Sequence, residues 1–424
     1  MIAQVRIERY ADQGRCVAHI DGRVVFVRFA LPGELVRIAL DEPSRRDDRF
    51  WTGEVVEVLE SSADRCDPAW PLAGPLAMGG GVGGADLVHV SLPGQLAWKR
   101  AVVEEQMRRL GHVDIGVPVE RLTDDAELGG LNWRTRIELI ADEEGFASMR
   151  RRGSHTRVRL DTMPLATRAL LAVADREHIW EGGFEPGAQI RVAVPEPRGD
   201  VARSANYAVL VDGDLVAGNR RLTERVAVDG RDFSYAVDAG GFWQIHRNAP
   251  MRLPEYVLGL VKESLNGKDN AVLWDLYSGS GLFTLPMATL SASDARMLTV
   301  EGAPGAVRNA RRNIAAAGLE GVEALQGDVA KTLVHHVPAD LSRPDVVVLD
   351  PPRAGARAKV CHQIARSQAP AVIYIACDPT SLARDTATLG QLGYEIRSIR
   401  AFDIYPMTHH VETIALFVRS RSMR

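Results

Sequence analysis

Cysteine is scarce in this chain of 424 residues. The thiols belong to Cys16, Cys66, Cys361 and Cys377, and no two of them form a C-x-x-C pair. This spacing excludes a disulfide framework and a cysteine-based zinc site. Reduced thiols are usual inside the cell, so we expect a cytoplasmic protein without a bound metal.

Long apolar runs and an excess of one charge are also lacking. No run approaches the roughly 18 apolar residues that span a bilayer, and MIAQVRIERY at the start is not the apolar core of a signal peptide. Lys and Arg number 51 against 55 Asp and Glu, a formal net charge of −4. We therefore expect no membrane partner, and RNA or DNA binding would depend on local patches. No pattern indicates an obligate dimer, so we expect a monomer.

Two architectures follow each other along the chain. Residues 1–60 contain short alternating segments with tight turns, such as Asp21-Gly22 between CVAHI and VVFVRF, which predict an OB-like or SH3-like β-barrel. From residue 271 onward strands and helices alternate, which predicts an α/β domain with a mostly parallel sheet. Ligands of such a sheet bind at the carboxyl ends of its strands.

The segment between these architectures is mixed. Residues 67–94 are rich in proline and glycine and predict a loop, and GQLAWKRAVVEEQMRRLG predicts the helix that follows. Beyond residue 131 a predicted hairpin carries the run Arg150, Arg151 and Arg152. This run is a candidate phosphate-contacting surface, with a solvated basic face as the alternative.

Acidic and glycine residues at three strand ends predict a cofactor site. Asp275 begins a D-x-x-x-G-x-G turn, in which Gly279 and Gly281 let the backbone approach a ligand. Glu301 ends the second strand, where a carboxylate accepts hydrogen bonds from ribose, and Asp328 can receive an adenine amino group. The third glycine of G-x-G-x-x-G is absent, so the pattern fits S-adenosylmethionine better than NAD.

The next two strand ends indicate a carbon acceptor. Asp350-Pro-Pro-Arg353 lacks the aromatic residue that ends the corresponding turn of amine methyltransferases. Cys377 ends the strand in YIACDPTSLARD, where a helix N-terminus and the nearby Arg384 can lower the pKa of its thiol. A thiolate that adds to C6 of a pyrimidine delivers negative charge to C5, which can then take a methyl group. The alternative is a buried cysteine that only packs.

A base must afterwards remove the proton from C5. Glu412, at the start of the last predicted strand in FDIYPMTHHVET, is the first candidate. His409 and His410 precede it and are the competing candidates.

The motifs DLYSGSGLFTLPMA, LDPPRAG, YIACDPTSLARD and YPMTHHVETIALF together resemble the TRAM-domain RNA uracil-C5 (5-methyluridine) methyltransferases, over nearly the whole chain. The resemblance implies S-adenosylmethionine-dependent methylation of a uridine in rRNA or tRNA, with Cys377 as nucleophile and Glu412 as base. It also implies a class I, Rossmann-like catalytic domain at 92–117 and 241–424. A TRAM-like barrel at 1–60 and a central RNA-binding α+β domain at 61–91 and 118–240 complete the expected organisation.

The resemblance also assigns cofactor contacts, namely Gln244, Tyr277, Glu301, Asp328 and Asp350. Arg353 and Arg384, close in sequence to the predicted acceptor site, join the arginine run as candidate RNA contacts. Two alternatives remain: cytosine-C5 methylation of RNA by the same chemistry, and a non-catalytic RNA-binding protein that keeps the fold.

The chain departs from the family pattern at several positions. Many members bind an iron–sulfur cluster through four cysteines, of which only Cys66 remains here, with Met163 at the later position. We therefore expect no cluster and a less firmly held loop at 67–85. Ser278 replaces a cysteine of the glycine turn, and Asp378 replaces the usual Asn beside the nucleophile, which adds an acid that can raise the thiol pKa.

We predict that the purified protein contains no iron–sulfur cluster, because one thiolate cannot replace four ligands. Visible absorption and iron analysis after purification without oxygen, which preserves such clusters, provide the test. An iron-dependent visible band would contradict the prediction.

Overall fold

The computed structural model describes residues 1–41, 48–198, 205–290 and 296–420. Short stretches of the predicted ranges 1–60, 118–240 and 241–424 lie outside these residues.

The predicted strand-rich module forms the N-terminus. Its six strands pair in the order β1-β5-β6-β4-β3-β2. The predicted hairpin joins β3 to β4, and Asp21 and Gly22 both have positive φ, as the tight turn requires. The strands are β1 Ile2–Arg6, β2 Arg9–Ala11, β3 Arg15–Ile20, β4 Arg23–Arg28, β5 Leu35–Leu40 and β6 Trp51–Glu60.

A helix and a second sheet follow. Ser91 caps α1, since its hydroxyl accepts the Gly94 N–H at 3.1 Å. The central sheet has the order β10-β9-β8-β11-β12-β13, and the stretch that the sequence predicts as one hairpin forms three of its strands, β8, β9 and β10. The elements are α1 Leu92–Arg109, β7 Val119–Arg121, β8 Arg136–Ala141, β9 Ala147–Arg150, β10 Arg157–Arg159, α2 Arg168–Arg176, β11 Gln189–Ala193, β12 Ala208–Val211 and β13 Asp214–Gly218.

The C-terminal part contains the predicted α/β sheet. Its order is β18-β17-β16-β19-β20-β22-β21-β7, in which β22 alone runs antiparallel to its neighbours among the described strands. The elements are β14 Arg221–Val228, β15 Arg231–Asp238, α3 Ala249–Leu265, β16 Val272–Leu276, α4 Thr284–Ala288, β17 Arg296–Glu301, α5 Pro304–Ala316, β18 Val322–Gln326, α6 Val329–His335, β19 Val346–Leu349, α7 Arg357–Ser367, β20 Ala371–Ala376, α8 Pro379–Gln391, β21 Tyr394–Asp403 and β22 Glu412–Arg419.

Two elements from the predicted central range pack on this C-terminal part. Strand β7 pairs in parallel with β21 at the edge of the large sheet. The β14–β15 hairpin shares a hydrophobic core with α3, in which Leu222 and Tyr235 are buried together with Leu253. Neither element has a motif that indicates this placement, because three residues of β7 and one amphipathic hairpin fit either sheet.

The loop at 67–85 is held by Arg152. Its guanidinium donates to the carbonyl oxygens of Ala73 at 3.0 Å, Val82 at 2.9 Å and Gly74 at 2.6 Å, and it lies 4.5 Å from the ring centre of Phe29. This corrects two expectations from the sequence. The loop is anchored rather than loose, and Arg152 is engaged inside the protein rather than available to RNA phosphates.

We predict that Arg152→Ala lowers the free energy of unfolding by about 2 kcal/mol, because three carbonyl groups lose a charged donor. Urea denaturation measures the change. Arg150→Ala is the matched control, since Arg150 is exposed on the same hairpin. Equal stability of both variants would show that the Arg152 contacts do not hold the loop.

Candidate active site

A cavity of about 1000 Å³ opens at the carboxyl ends of the parallel strands. Residues that follow β16, β17, β19 and β20 line it, and so does Glu412 at the start of β22. The sequence-predicted residues that line the cavity are Gln244, Tyr277, Gly279, Glu301, Asp328, Asp350, Arg353, Cys377 and Glu412. The structure thus brings together residues that lie up to 168 positions apart, from Gln244 to Glu412.

The glycine turn after β16 has the left-handed backbone that its residues predict. Gly279 and Gly281 have φ values of +56° and +92°, and Tyr277 has +63°. Glu301 fixes the turn, because one carboxylate oxygen accepts the Gly279 N–H at 3.0 Å and the other accepts the Ala303 N–H at 2.6 Å. Gly281 shapes the turn without lining the cavity.

Buried carboxyl groups surround the turn and destabilise one another's charge. Burial raises the pKa of Asp275 to about 7, with Glu301 contributing and the Thr284 hydroxyl opposing. Burial, Asp275 and Glu301 raise the pKa of Asp350 to about 7. Burial and then Asp350 raise the pKa of Glu412 well above its usual range. The site is therefore suited to a ligand that brings positive charge.

Several buried polar atoms have no hydrogen-bond partner in the described part of the chain. Five of them belong to cavity residues: Trp133 Nε1, Trp243 Nε1, Gln244 Oε1, Ser278 Oγ and Glu412 Oε1. Buried polar groups are rarely left unpaired, so these atoms indicate a polar ligand. Asp328 keeps part of its capacity as well, since only Oδ1 accepts the Lys331 N–H as the cap of α6. The buried carboxyl groups and the unpaired polar atoms together fit S-adenosylmethionine, which carries a sulfonium, an ammonium group, ribose hydroxyls and an adenine.

Cys377 and Glu412 lie opposite each other at the ends of two neighbouring strands, β20 and β22. Ala376 pairs with Thr413 in the antiparallel ladder of β20 and β22, so Cys377 and Glu412 are the next pair in the same register. Cys377 is partly buried, and Glu412 is buried. The predicted nucleophile and the predicted base are therefore neighbours.

The expectation of a lowered Cys377 pKa is wrong for the protein without ligands. Burial, then the carboxyl groups of Glu412 and Asp350, raise the thiol pKa to about 12, and Asp378 adds a smaller contribution. Arg353 is the cation that opposes this rise. Arg384 is exposed on α8 and is not among the residues that line the cavity.

Asp378 stabilises the start of helix α8, a role that its place beside Cys377 does not indicate. Its Oδ1 accepts the Ser381 N–H at 2.6 Å and so caps α8. The helix begins at Pro379, directly after Asp378.

Aromatic residues also line the cavity. Trp133 is buried, and its ring centre lies 6.1 Å from that of Tyr405. The ring centre of His410 lies 5.9 Å from that of Tyr405, and both pairs pack edge to face. Phe242, next to Trp243, is 73% exposed although it lines the cavity. Apart from His410, the sequence does not identify these residues, because no regular spacing relates them. The two adjacent aromatic residues in GGFWQIH are the one signal that the sequence offers.

The two neighbouring histidines have different surroundings in the structure. His410 lines the cavity, and burial followed by His409 lowers its pKa to about 4, so it is neutral and a weak base. His409 contacts Asp86 instead, through its ring Nδ1 at 2.8 Å.

The candidate RNA contacts on the hairpin lie apart from the cavity. Arg150 is exposed at the end of β9, and Arg151 is partly buried. Among the described residues, no group of three or more His, Cys, Asp or Glu side chains could hold a metal ion. Cys66 is exposed and Met163 is buried. No helix in the described ranges is long and apolar enough to cross a membrane.

Comparisons with known proteins agree with this geometry. The family model described as tRNA (uracil-5-)-methyltransferase matches residues 201–420, and the TRAM domain model matches residues 2–48. A Bifidobacterium longum protein described as an uncharacterized RNA methyltransferase is 70% identical over 99% of this chain and 97% of its own. The 23S rRNA (uracil(1939)-C(5))-methyltransferase of Chromohalobacter salexigens is 33% identical over 97% of this chain and 88% of its own.

A solved structure is similar in fold. The Pyrococcus abyssi tRNA (uracil-54, C5)-methyltransferase in complex with S-adenosyl-L-homocysteine aligns with a TM-score of 0.65 and 21% identity. The alignment covers 98% of this chain and all of that one. At this identity the likeness establishes the fold.

We predict that Asp275→Asn stabilises the protein at about pH 8 and has little effect at about pH 4. Burial raises the Asp275 pKa from 3.8 to about 7, so the folded state holds the proton more tightly than the unfolded chain. Wild-type stability therefore falls as pH rises between these values, by roughly 1.4 kcal/mol for each pKa unit, and then levels off.

The introduced amide cannot ionise and can still accept the Thr284 hydroxyl, which lies 2.5 Å from the wild-type Asp275 carboxylate. Urea unfolding across this pH range measures the difference, with Asp269→Asn at an exposed position as control. Parallel pH profiles of wild type and Asp275→Asn would contradict the prediction.

Proposed function

As a member of the tRNA (uracil-5-)-methyltransferase family, this chain is an S-adenosylmethionine-dependent RNA uracil-C5 methyltransferase, and we propose that it acts through a covalent bond between Cys377 and C6 of the uracil. The observation that carries the proposal is the adjacent placement of Cys377 and Glu412 across β20 and β22, at the wall of the cavity.

The cofactor would be held by the residues at the strand ends. Glu301 and Asp328 suit the ribose and adenine, and Gln244, Tyr277 and Asp350 complete the proposed contacts. Bound S-adenosylmethionine supplies an electrophilic methyl group on a positively charged sulfur. That charge offsets the buried carboxyl groups, which is how we expect the Cys377 thiolate to become accessible near neutral pH.

The residues of the chain then act in sequence on the uracil. The Cys377 thiolate forms a bond to C6, and the electrons of the C5–C6 double bond move toward O4, so that C5 becomes nucleophilic. C5 then takes the methyl group, whose bond to the sulfonium sulfur breaks with the electron pair left on sulfur. Glu412 removes the proton from C5, the S–C6 bond breaks, and the double bond returns. The thiolate is regenerated, and the proton on Glu412 passes to solvent.

Glu412 is a better candidate for the base than His410. Burial raises the pKa of Glu412 and lowers that of His410 to about 4, so the carboxylate is the stronger base of the two. His409 is held by Asp86 and does not line the cavity.

The proposed substrate is a uridine of rRNA or tRNA that leaves its stack to enter the cavity. Exposed Phe242 at the cavity suits stacking on a base, and Arg353 suits contact with the uracil or its phosphate. Arg150, Arg151 and the exposed Arg384 remain proposed contacts to the RNA backbone. They carry affinity rather than sequence specificity.

The alternatives have less support. Cytosine-C5 methylation would use the same covalent steps, but the family model is that of a uracil enzyme. A non-catalytic RNA-binding role does not explain why the thiol and the carboxyl group meet at the cofactor cavity. We also propose that the enzyme works as a monomer in the cytoplasm.

We predict that Glu412→Gln accumulates a covalent complex with unmodified RNA in the presence of S-adenosylmethionine, because the methylated adduct keeps its C5 proton and cannot release Cys377. Denaturing gels and peptide mass spectrometry detect the complex. Cys377→Ala should give neither complex nor product, whereas Cys66→Ala, which removes an exposed thiol elsewhere, should behave as wild type. A complex formed by Cys377→Ala, or full turnover by Glu412→Gln, would contradict the assignment.

A further inference from the structure

One turn determines the shape of the acceptor side of the cavity. It spans residues 405–410 between β21 and β22 and contributes Tyr405, Thr408 and His410 to the lining. Two residues further along the chain lies Glu412, the proposed base. The position of this turn therefore bears directly on the proposed proton removal.

Contacts from the segment 84–99 hold the turn in place. The Leu87 N–H donates to the Met407 carbonyl at 2.9 Å, and the Gln95 side-chain oxygen accepts the Met407 N–H at 3.0 Å. Lys99 donates to the Tyr405 carbonyl at 3.0 Å. Turn 405–410 is thus anchored by a neighbouring segment rather than by the sheet.

A charged contact completes this anchoring. One carboxylate oxygen of Asp86 accepts the His409 backbone N–H at 3.0 Å and contacts its ring Nδ1 at 2.8 Å. The His409 ring lies 4.1 Å from the ring of His410, which faces the cavity. We infer that Asp86 is a positioning residue for methyl transfer, which orders turn 405–410 through His409; this inference rests on the proposed function.

A glycine of the N-terminal barrel lies close to Asp86. Gly14 lies in the turn between β2 and β3 with a φ of +65°, and a Cβ atom at this position would overlap Asp86 Oδ2, the oxygen that binds His409. An alanine there would displace the carboxylate without touching the cavity. The N-terminal barrel is therefore coupled to the acceptor side through Gly14, Asp86 and His409.

The same barrel offers a matched control. Gly22 also has a positive φ, +77°, but a Cβ atom there would meet nothing within 4 Å. Gly14→Ala and Gly22→Ala therefore share the cost of a left-handed alanine and differ in the displacement of Asp86.

The experiment measures the rate at which full-length protein forms a covalent complex with 5-fluorouridine-substituted total RNA and saturating S-adenosylmethionine, at saturating RNA. We expect Asp86→Ala and Gly14→Ala each to slow the reaction roughly tenfold or more, as displaced catalytic groups do. Gly22→Ala should react at the wild-type rate. The double variant Gly14→Ala with Asp86→Ala should be no slower than Asp86→Ala alone, because the overlap requires the carboxylate.

Cofactor affinity by calorimetry and thermal unfolding separate positioning from loss of structure. We expect S-adenosylmethionine to bind all variants as it binds wild type, since the glycine turn and Glu301 make no contact with turn 405–410 in the described hydrogen-bond network. If Asp86→Ala does not fold, the comparison of Gly14→Ala with Gly22→Ala carries the test, because only the former displaces the Asp86 carboxylate.

Wild-type rates in folded Asp86→Ala, or equal rates in Gly14→Ala and Gly22→Ala, would overturn the inference while leaving the proposed function intact. Absence of a complex with the wild-type protein would instead overturn the proposed function, and this inference with it.

Discussion

The burial of several carboxyl groups close together at the strand ends is the constraint on which the rest of the site depends. Burial first, and neighbouring acids second, raise the pKa values of Asp275, Asp350 and Glu412. Burial, followed by Glu412 and Asp350, raises the Cys377 thiol pKa to about 12. Ionised carboxylates in such an arrangement are unfavourable on their own and are stabilised when a cation lies beside them. The site therefore suits a sulfonium cofactor, and we propose that binding of this cofactor activates the thiol.

The sheet topology explains why these groups meet. Parallel strands all end at one edge, which brings the residues after β16, β17, β19 and β20 together. Strand β22 runs antiparallel to β20, so its first residue rather than its last lies at that edge. Glu412 consequently faces Cys377. A parallel β22 would place its N-terminal residue at the opposite edge of the sheet.

The amino-acid sequence predicts those features that follow from one element at a time. Apolar runs that end in Asp350 or Cys377 identify strands, and the glycine turn requires its backbone conformation, so the parallel sheet and the cofactor side are predictable. Features that depend on contacts between elements distant in the sequence cannot be predicted in this way. The engagement of Arg152 by three loop carbonyls and the aromatic wall with Trp133 depend on packing, as does the raised pKa of Cys377, which reverses the expectation from its helix N-terminus.

Calorimetry of cofactor binding tests the central claim most directly. Titration of S-adenosylmethionine in two buffers of different ionisation enthalpy, slightly below pH 7, counts the protons exchanged on binding. Because Asp275 and Asp350 have pKa values of about 7, each is close to half protonated there, and a bound cation should lower these values and release protons. S-adenosylhomocysteine lacks the sulfonium charge and should release fewer. Equal release by both ligands, or none, would contradict the account.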